Sequence, residues 1–106
     1  MPVIESGSAT VTHINVFTVD PERQQDLVDS LTETVNAARH IPGWISASIH
    51  RSFDGCRVVN YVQFESHEAA QKVTEQLLAM NLIQRNTAIG SVQPGQYEVV
   101  YTASKA

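Results

Sequence analysis

The sequence predicts an α+β fold in which two helices pack on one face of an antiparallel sheet. Three observations favour it. Short runs rich in β-branched residues alternate between apolar and polar positions, two longer segments carry apolar residues at helical spacing, and Asp54-Gly55 separates two of the short runs as a hairpin turn would. A chain of 106 residues is the size of one domain. We assign that domain to residues 10–106, after a loose, small and polar segment at residues 1–9.

Residues 11–19 alternate and are rich in β-branched side chains, which predicts the first strand. A helix should start at Asp20, whose carboxylate can cap free N–H groups, while Pro21 suits the first helical position. Apolar residues then recur at helical spacing to about residue 39. They are Leu27, Val28, Leu31, Val35 and Ala38. Ile41-Pro42-Gly43 ends this helix.

Two strands are predicted over residues 44–51 and 57–64, joined through Asp54-Gly55. Ser66 should cap a second helix. Its apolar stripe is Ala70, Val73, Leu77 and Met80. Residues 81–89 are compatible with a short helix or with an irregular cover. Pro94-Gly95 predicts a turn before a final strand at residues 96–102.

The resulting order is strand, helix, strand, strand, helix, strand, which is the split βαβ arrangement of the ferredoxin-like fold. Both helices then stack on one sheet face, and the other face needs a cover. A second copy of the chain is the simplest cover, so the expectation is a homodimer.

Composition excludes several classes of partner. The formal charge is −4 with only seven Lys and Arg residues, which argues against nucleic acid and anionic membranes. No apolar run approaches the roughly 20 residues of a membrane span, and no secretion signal is visible. Cys56 is the single cysteine, so no internal disulfide can form, and a reducing cytoplasm is the expected location.

Metal and nucleophile chemistry find little support in the sequence. His67-Glu68-Ala69-Ala70-Gln71 resembles a zinc-protease motif, but Gln71 replaces the second His, and one His cannot hold the ion. The four histidines have no paired ligand spacing, so no metal is expected. No glycine-rich loop precedes a helix, which leaves phosphate or dinucleotide binding without support.

A pair of asparagines is the most unusual feature of the predicted sheet. By the two-residue period, Asn15 shares a face with His13 and Phe17, and Asn60 shares one with Val62 and Phe64. Either the asparagines lie in solvent or bond neighbouring backbone, or they await a ligand. A two-residue turn at Asp54-Gly55 places Ile49 opposite Asn60, Ile45 opposite Phe64, and His50 on the other face. A bulged turn reverses that parity.

Three stretches carry a resemblance to a known family. They are Asn15-Val-Phe-Thr-Val-Asp20, Pro42-Gly-Trp44 together with Asp54-Gly55, and Asn60-Tyr-Val-Gln-Phe-Glu-Ser66. The chain resembles the antibiotic biosynthesis monooxygenase family, and especially its small, cofactor-independent, quinone-forming oxygenases. The resemblance implies a dimeric α+β barrel with a cavity between sheet and helices in each subunit.

The resemblance also implies roles for individual residues. Asn15 matches an asparagine that polarises a substrate oxygen, and Asn60 and His50 match an asparagine and a histidine of the quinone-forming group. Phe64 stands where many members have Trp, and so lacks the indole N–H donor. Ala70 stands where one subgroup has Tyr, and Ile49 replaces a substrate-binding aromatic. Trp44 itself is expected in the core or at a dimer interface.

The functional hypothesis is a monooxygenase that oxidises a polycyclic phenol or anthrone with O2, without metal or flavin. Asn15 and Asn60 would stabilise the enolate, and His50 would take the proton. The remaining expected substrate contacts are Phe17, Ile49, Phe64, Ala70, Val73 and Leu77. One alternative is an oxygenase of the same fold that needs reduced flavin or haem. The other is a non-catalytic barrel that binds a ligand or assists another enzyme.

Overall fold

The structure is a computed structural model that describes residues 10–106, and the segment at residues 1–9 lies outside the described residues. Four strands and three α-helices follow one another along the chain. They are β1 (Val11–Thr18), α1 (Gln24–Ala38), β2 (Trp44–Arg51), β3 (Arg57–Phe64), α2 (His67–Ala79), α3 (Leu82–Ile89) and β4 (Ser91–Tyr97). The segment at residues 81–89, whose structure the sequence left open, is therefore mainly a short helix.

The strands form one antiparallel sheet in the order β2-β3-β1-β4. Alternate residues of each strand face the helices. Val58 and Phe64 of β3, for example, are buried against α1 and α2. All three helices pack on this one face, which we call the covered face; the opposite side of the sheet is called the open face. The predicted ferredoxin-like α+β fold is confirmed.

The hairpin between β2 and β3 has the predicted strands and a longer loop than a two-residue turn. The chain reverses over residues 53–56, where the Gly55 N–H donates to the Ser52 carbonyl at 3.2 Å. Gly55 has a φ of +83°, which an L side chain rarely adopts. Ile49 lies opposite Asn60 as predicted. The predicted pairing of Ile45 with Phe64 is wrong, because a bulge at Ile45 brings Trp44 opposite Phe64.

The two predicted helix caps differ in outcome. The Ser66 hydroxyl accepts a hydrogen bond from the Ala69 N–H at 3.1 Å, so the predicted cap of α2 is confirmed. The Asp20 side chain makes no such bond within the described part of the chain. A 3₁₀ turn, Pro21–Arg23, comes first, and α1 begins only at Gln24.

Two predictions near the C-terminus are wrong. Pro94-Gly95 is not a turn but lies inside β4, where Pro94 pairs with Asn15. β4 is an edge strand, and an edge tolerates a residue without an N–H donor. The strand ends at Tyr97, and residues 98–106 have no regular secondary structure.

Met80 does not extend the buried stripe of α2, because the helix ends before it and its side chain is half exposed.

Candidate functional site

A cavity of about 500 Å³ lies between the covered face of the sheet and the helices. This volume is within the range of small-molecule sites in proteins. The sheet contributes polar and aromatic side chains to its wall, and the helices contribute mainly aliphatic ones. Those from the sheet include His13, Asn15, Phe17, Asn60, Val62 and Phe64, and those from the helices include Leu31, Val73, Leu77 and Ile83.

Asn15 and Asn60 form a directly opposed pair on neighbouring strands. They are cross-strand partners in the β1–β3 register, and both line the cavity. Directly opposed side chains have Cβ atoms about 4.5–5.5 Å apart. Both amides can therefore reach one ligand atom.

Asn60 has unmet hydrogen-bonding capacity. The residue is 7% exposed, and its Oδ1 has no hydrogen-bond partner among residues 10–106. Buried polar atoms are nearly always paired, so an orphan at a cavity wall indicates a missing ligand or water. Rotation about χ2 exchanges the two ends of the amide. Asn60 can thus accept a bond from a phenol or donate one to a phenolate.

Asn86, in the same cavity wall, has both ends of its side-chain amide in hydrogen bonds. Its Oδ1 accepts from the Ser30 hydroxyl at 2.6 Å, and its Nδ2 donates to the Thr34 hydroxyl at 2.9 Å. These bonds tie α3 to α1 at the side of the cavity. Asn86 is therefore occupied in holding the wall together, whereas Asn60 is free to meet a ligand.

His13 belongs to the site although the sequence analysis gave it no role. It lies two residues before Asn15 on the same face of β1, and its imidazole lines the cavity. Its Nε2 is buried without a partner in the described chain, and its ring meets Phe64 edge-on with centroids 4.8 Å apart. The two-residue period shared with Asn15 was the signal that could have identified it.

Burial lowers the pKa of His13 below its ordinary 6.5, and the nearby charge of His67 lowers it further. Desolvation disfavours the charged imidazolium, which is why the direction is downward. His13 is therefore a neutral imidazole near neutral pH, with a lone pair available to accept a proton.

Four of the six expected substrate contacts line the cavity. They are Phe17, Phe64, Val73 and Leu77. Ile49 shares their face but packs on the cluster around Phe17 and Leu31, outside the cavity wall. Ala70 is buried in the core and borders a smaller neighbouring cavity instead.

His50 does not reach the cavity, so its expected place in the site is wrong. It lies opposite Val59, one residue out of phase with the Ile49–Asn60 pair, and strand alternation sends it to the open face. Its side chain is exposed there, with Nε2 2.8 Å from the Ser48 hydroxyl. The loop at residues 53–56 keeps the parity of a two-residue turn, which decides this orientation.

Trp44 is a second residue of the cavity that the sequence analysis did not place there. It is half-buried, lies opposite Phe64 and contributes to the cavity wall. The bulge at Ile45 sets this position, and a bulge is hard to read from one sequence. An indole ring is thus present beside Phe64, on the neighbouring strand.

No cluster of three or more His, Cys, Asp or Glu side chains among residues 10–106 has the geometry to hold a metal ion. Within the same residues, each helix is too short or too polar to cross a bilayer.

Comparison with known proteins gives concordant matches. Residues 10–76 match the family described as antibiotic biosynthesis monooxygenase. Tetracenomycin-F1 monooxygenase of Streptomyces glaucescens is 45% identical over 67 residues. That match spans 62% of this chain and 60% of the relative's length.

Two solved structures share the fold over nearly the whole chain. A monooxygenase from ActVA-Orf6 of Streptomyces coelicolor, solved in complex with Nanaomycin D, is 27% identical with a TM-score of 0.80. The alignment covers 92% of this chain and 94% of that one. SnoaB of Streptomyces nogalater, described as a cofactor-independent oxygenase, has a TM-score of 0.78 at 19% identity, and the alignment covers 92% of this chain and 100% of that one. At that identity the likeness is evidence for the fold alone.

Proposed function

The chain belongs to the antibiotic biosynthesis monooxygenase family, and we propose that it oxidises a polycyclic phenol or anthrone with O2, without metal or flavin. One observation carries the proposal. An opposed pair of asparagine amides, Asn15 and Asn60, faces an otherwise largely apolar cavity, and the buried Oδ1 of Asn60 has no partner among residues 10–106.

The volume and lining of the cavity support a fused-ring aromatic substrate. Aromatic side chains (Phe17, Trp44 and Phe64) stand on the sheet side, with aliphatic Val73 and Leu77 across from them. Aromatic rings bind other rings by offset stacking or edge contact. The tetracenomycin F1 of one relative's name and the Nanaomycin D bound to another guide the choice of substrate class.

Such a substrate can reduce O2 by itself. When an anthrone methylene becomes a quinone carbonyl, the carbon loses two hydrogens and four electrons. One oxygen atom becomes the new carbonyl oxygen, and the other leaves as water. The four electrons are those that O2 requires, so no external reductant enters the balance.

The protein's contribution is to favour the enolate that gives up the first electron. Amide N–H groups of Asn15 and Asn60, fixed by the sheet, can donate to the oxyanion as charge develops on it. Such preorganised donors are worth about 10²–10³ in rate each. The apolar walls exclude water, which strengthens these bonds.

Aerobic incubation of the purified protein with a panel of anthrones and naphthols tests the proposal. Oxygen uptake and quinone absorbance are followed with nothing added, then with reduced flavin, then with haem. Turnover without additive supports the proposal. Turnover only with flavin or haem replaces it with the cofactor-dependent alternative, and ligand binding without oxygen uptake replaces it with a binding role.

We further propose that two chains associate through their open faces. Apolar side chains of this face are only half-buried in one chain, among them Ile14, Val16, Val59 and Tyr61. Covering them with a second sheet would remove apolar surface from water. Sedimentation analysis should give a dimer for the native chain, and a Val59→Lys variant should be monomeric with an unchanged circular dichroism spectrum. A native monomer would contradict this part of the proposal.

A further inference from the structure

We propose that His13 is the proton acceptor of the site, and that a second cavity connects its imidazole to solvent. This inference rests on the proposed function. In it, His13 takes the proton that the phenol or the anthrone methylene must lose before O2 can react. The role was expected of His50, which lies on the other face of the sheet.

The register of the sheet sets His13 at a useful distance from the amide pair. His13 and Asn15 are two residues apart on one face of β1, and Val62 and Asn60 are the corresponding pair on β3. Two residues along a strand span about 7 Å. A six-membered ring whose oxygen is held by the asparagines would therefore turn its opposite edge towards the imidazole.

One ring nitrogen of His13 has no hydrogen-bond partner among the described residues. Nε2 is buried, and no donor or acceptor among the described residues reaches it. The edge contact with Phe64 packs one side of the ring. A buried nitrogen without a partner at a cavity wall is the position from which a base meets a bound substrate.

The charges around His13 suit a base that is neutral before the reaction. Its strand neighbours Val62 and Gln96 are uncharged, and the titratable groups facing it come from α2, as His67 and Glu75. Burial and the His67 charge lower the pKa of His13 in the empty site. An anionic substrate beside the ring favours the imidazolium instead. Proton transfer thus yields an ion pair inside the cavity.

A second cavity of about 360 Å³ also borders His13. It shares His13, Thr74 and Gln96 with the main cavity. Exposed residues of α2, namely His67, Gln71 and Glu75, form its outer rim. The imidazole therefore borders both the substrate space and a cavity with a polar rim, where water can collect the proton.

The step is balanced without a further reagent. A substrate O–H or C–H bond breaks, its electron pair stays on the substrate as phenolate or enolate, and the proton forms the bond to Nε2. The imidazolium then loses one of its two ring protons to water in the second cavity. His13 returns to its neutral state before the next substrate binds.

The kinetic test compares the native protein with His13→Gln, a polar variant that cannot take a proton in this range. General-base catalysis contributes about 10²–10⁴-fold, so kcat/KM should fall by that amount. In the native protein, kcat/KM should fall on the acid side of its pH profile with a midpoint below 6.5. This acid limb should be absent from the profile of His13→Gln. The matched control is His40→Gln, on an exposed residue after α1, which should leave the profile unchanged. Native-like kinetics and an unchanged acid limb in His13→Gln would overturn the inference while the oxygenase stands.

A second variant leaves His13 in place. His67→Gln removes the charge that lowers the His13 pKa, so the acid limb should move to higher pH. An unmoved limb would count against His13 as the group that titrates. This measurement remains decisive if His13→Gln does not fold.

A turnover-independent test separates this inference from the proposed function. The probe is a nitronaphthol whose absorbance distinguishes the phenol from its phenolate. Binding to the native protein should produce the phenolate band, and binding to His13→Gln should not. A phenolate band without oxygen uptake from the substrate panel would refute the oxygenase and leave His13 as the proton acceptor. The same band in both proteins, or no binding to either, would overturn the inference.

Discussion

The two faces of the sheet come from the same strands, but their unpartnered polar side chains have different surroundings. On the covered face, His13 and Asn60 point unpartnered atoms at a cavity bounded by the helices. On the open face, Thr12 and Gln63 lie directly opposite each other and also keep buried atoms without partners in the described chain. Both residues are only 1% exposed in the single chain. Unmet hydrogen-bonding capacity supports the proposed ligand site on the covered face, because His13 and Asn60 line a cavity there. On the open face it does not by itself call for a covering surface, since Thr12 and Gln63 are already buried within one chain.

Alternation along a strand separates these two roles by a single residue. Asn60 faces the cavity and its neighbour Tyr61 faces outward, so a shift of one position in register would exchange the two surfaces. Neighbouring residues thus form natural pairs for testing what each face does.

The largest expected effect is on catalysis from the covered face. Asn60→Ala should lower kcat by about 10²–10³, because one oxyanion donor is lost. Tyr61→Phe is the control on the open face and should stay near the native rate. Rates would be measured as quinone formation at saturating substrate. A loss of less than about twofold in Asn60→Ala would remove this residue from the oxyanion site.

A smaller effect is expected on the stability of two variants, one substituted on each face of the sheet. Val58 is fully buried under α1, and its neighbour Val59 is half-buried on the open face. Val58→Ala should lower the free energy of unfolding by about 2 kcal/mol, from lost burial and the space left behind. Val59→Ala should cost less, and its cost should depend on protein concentration if dimerisation covers it. Urea unfolding at two concentrations measures both, and equal costs would contradict the assignment of the faces.

The start of α2 over the covered face gives a prediction of intermediate size. Ser66→Ala should lower the free energy of unfolding by about 1 kcal/mol, since the bond to the Ala69 N–H is lost. Asp20→Ala, at the predicted cap that does not form, should change it little. Thermal unfolding of both variants decides this, and a larger loss in Asp20→Ala would show that its carboxylate caps after all.

The smallest effect is the pH dependence of stability from His13. Its pKa is below 6.5 in the folded protein and ordinary in the unfolded chain. Between those two values the unfolded state binds more protons, so the free energy of unfolding falls as pH falls through 6.5 and levels off below the folded pKa. His13→Gln should lack this part of the slope. Superimposable curves for the two proteins would contradict the lowered pKa.

Asp54 is a second group whose pKa is lowered in the folded protein. Hydrogen bonds from the Ser52 hydroxyl and the Cys56 N–H hold the pKa of its carboxyl below the ordinary 3.8. The contribution of such a group is present above 3.8 and is lost only as pH falls further. The His13 contribution therefore begins to fall at 6.5, whereas the Asp54 contribution begins to fall only at 3.8.

The elements that depend on nearby residues were predictable from the sequence. The bounds of β2 and β3 follow from alternation and from the Asp54-Gly55 turn, and the Ser66 cap follows from its own hydroxyl. Likewise the two-residue period alone put Asn15 and Asn60 among the inward positions of their strands. Each of these depends on interactions within a few residues, which the order of residues specifies directly.

Other features were decided only by tertiary structure. Pro94-Gly95 has the local chemistry of a turn, but pairing with β1 extends it as an edge strand. The side on which His50 lies depends on how many residues the loop at 53–56 inserts, and the place of Trp44 depends on a bulge. The cavity that joins His13 to the asparagines is a space between sheet and helices. No single segment encodes such a space, because its size and walls arise only when distant side chains pack together.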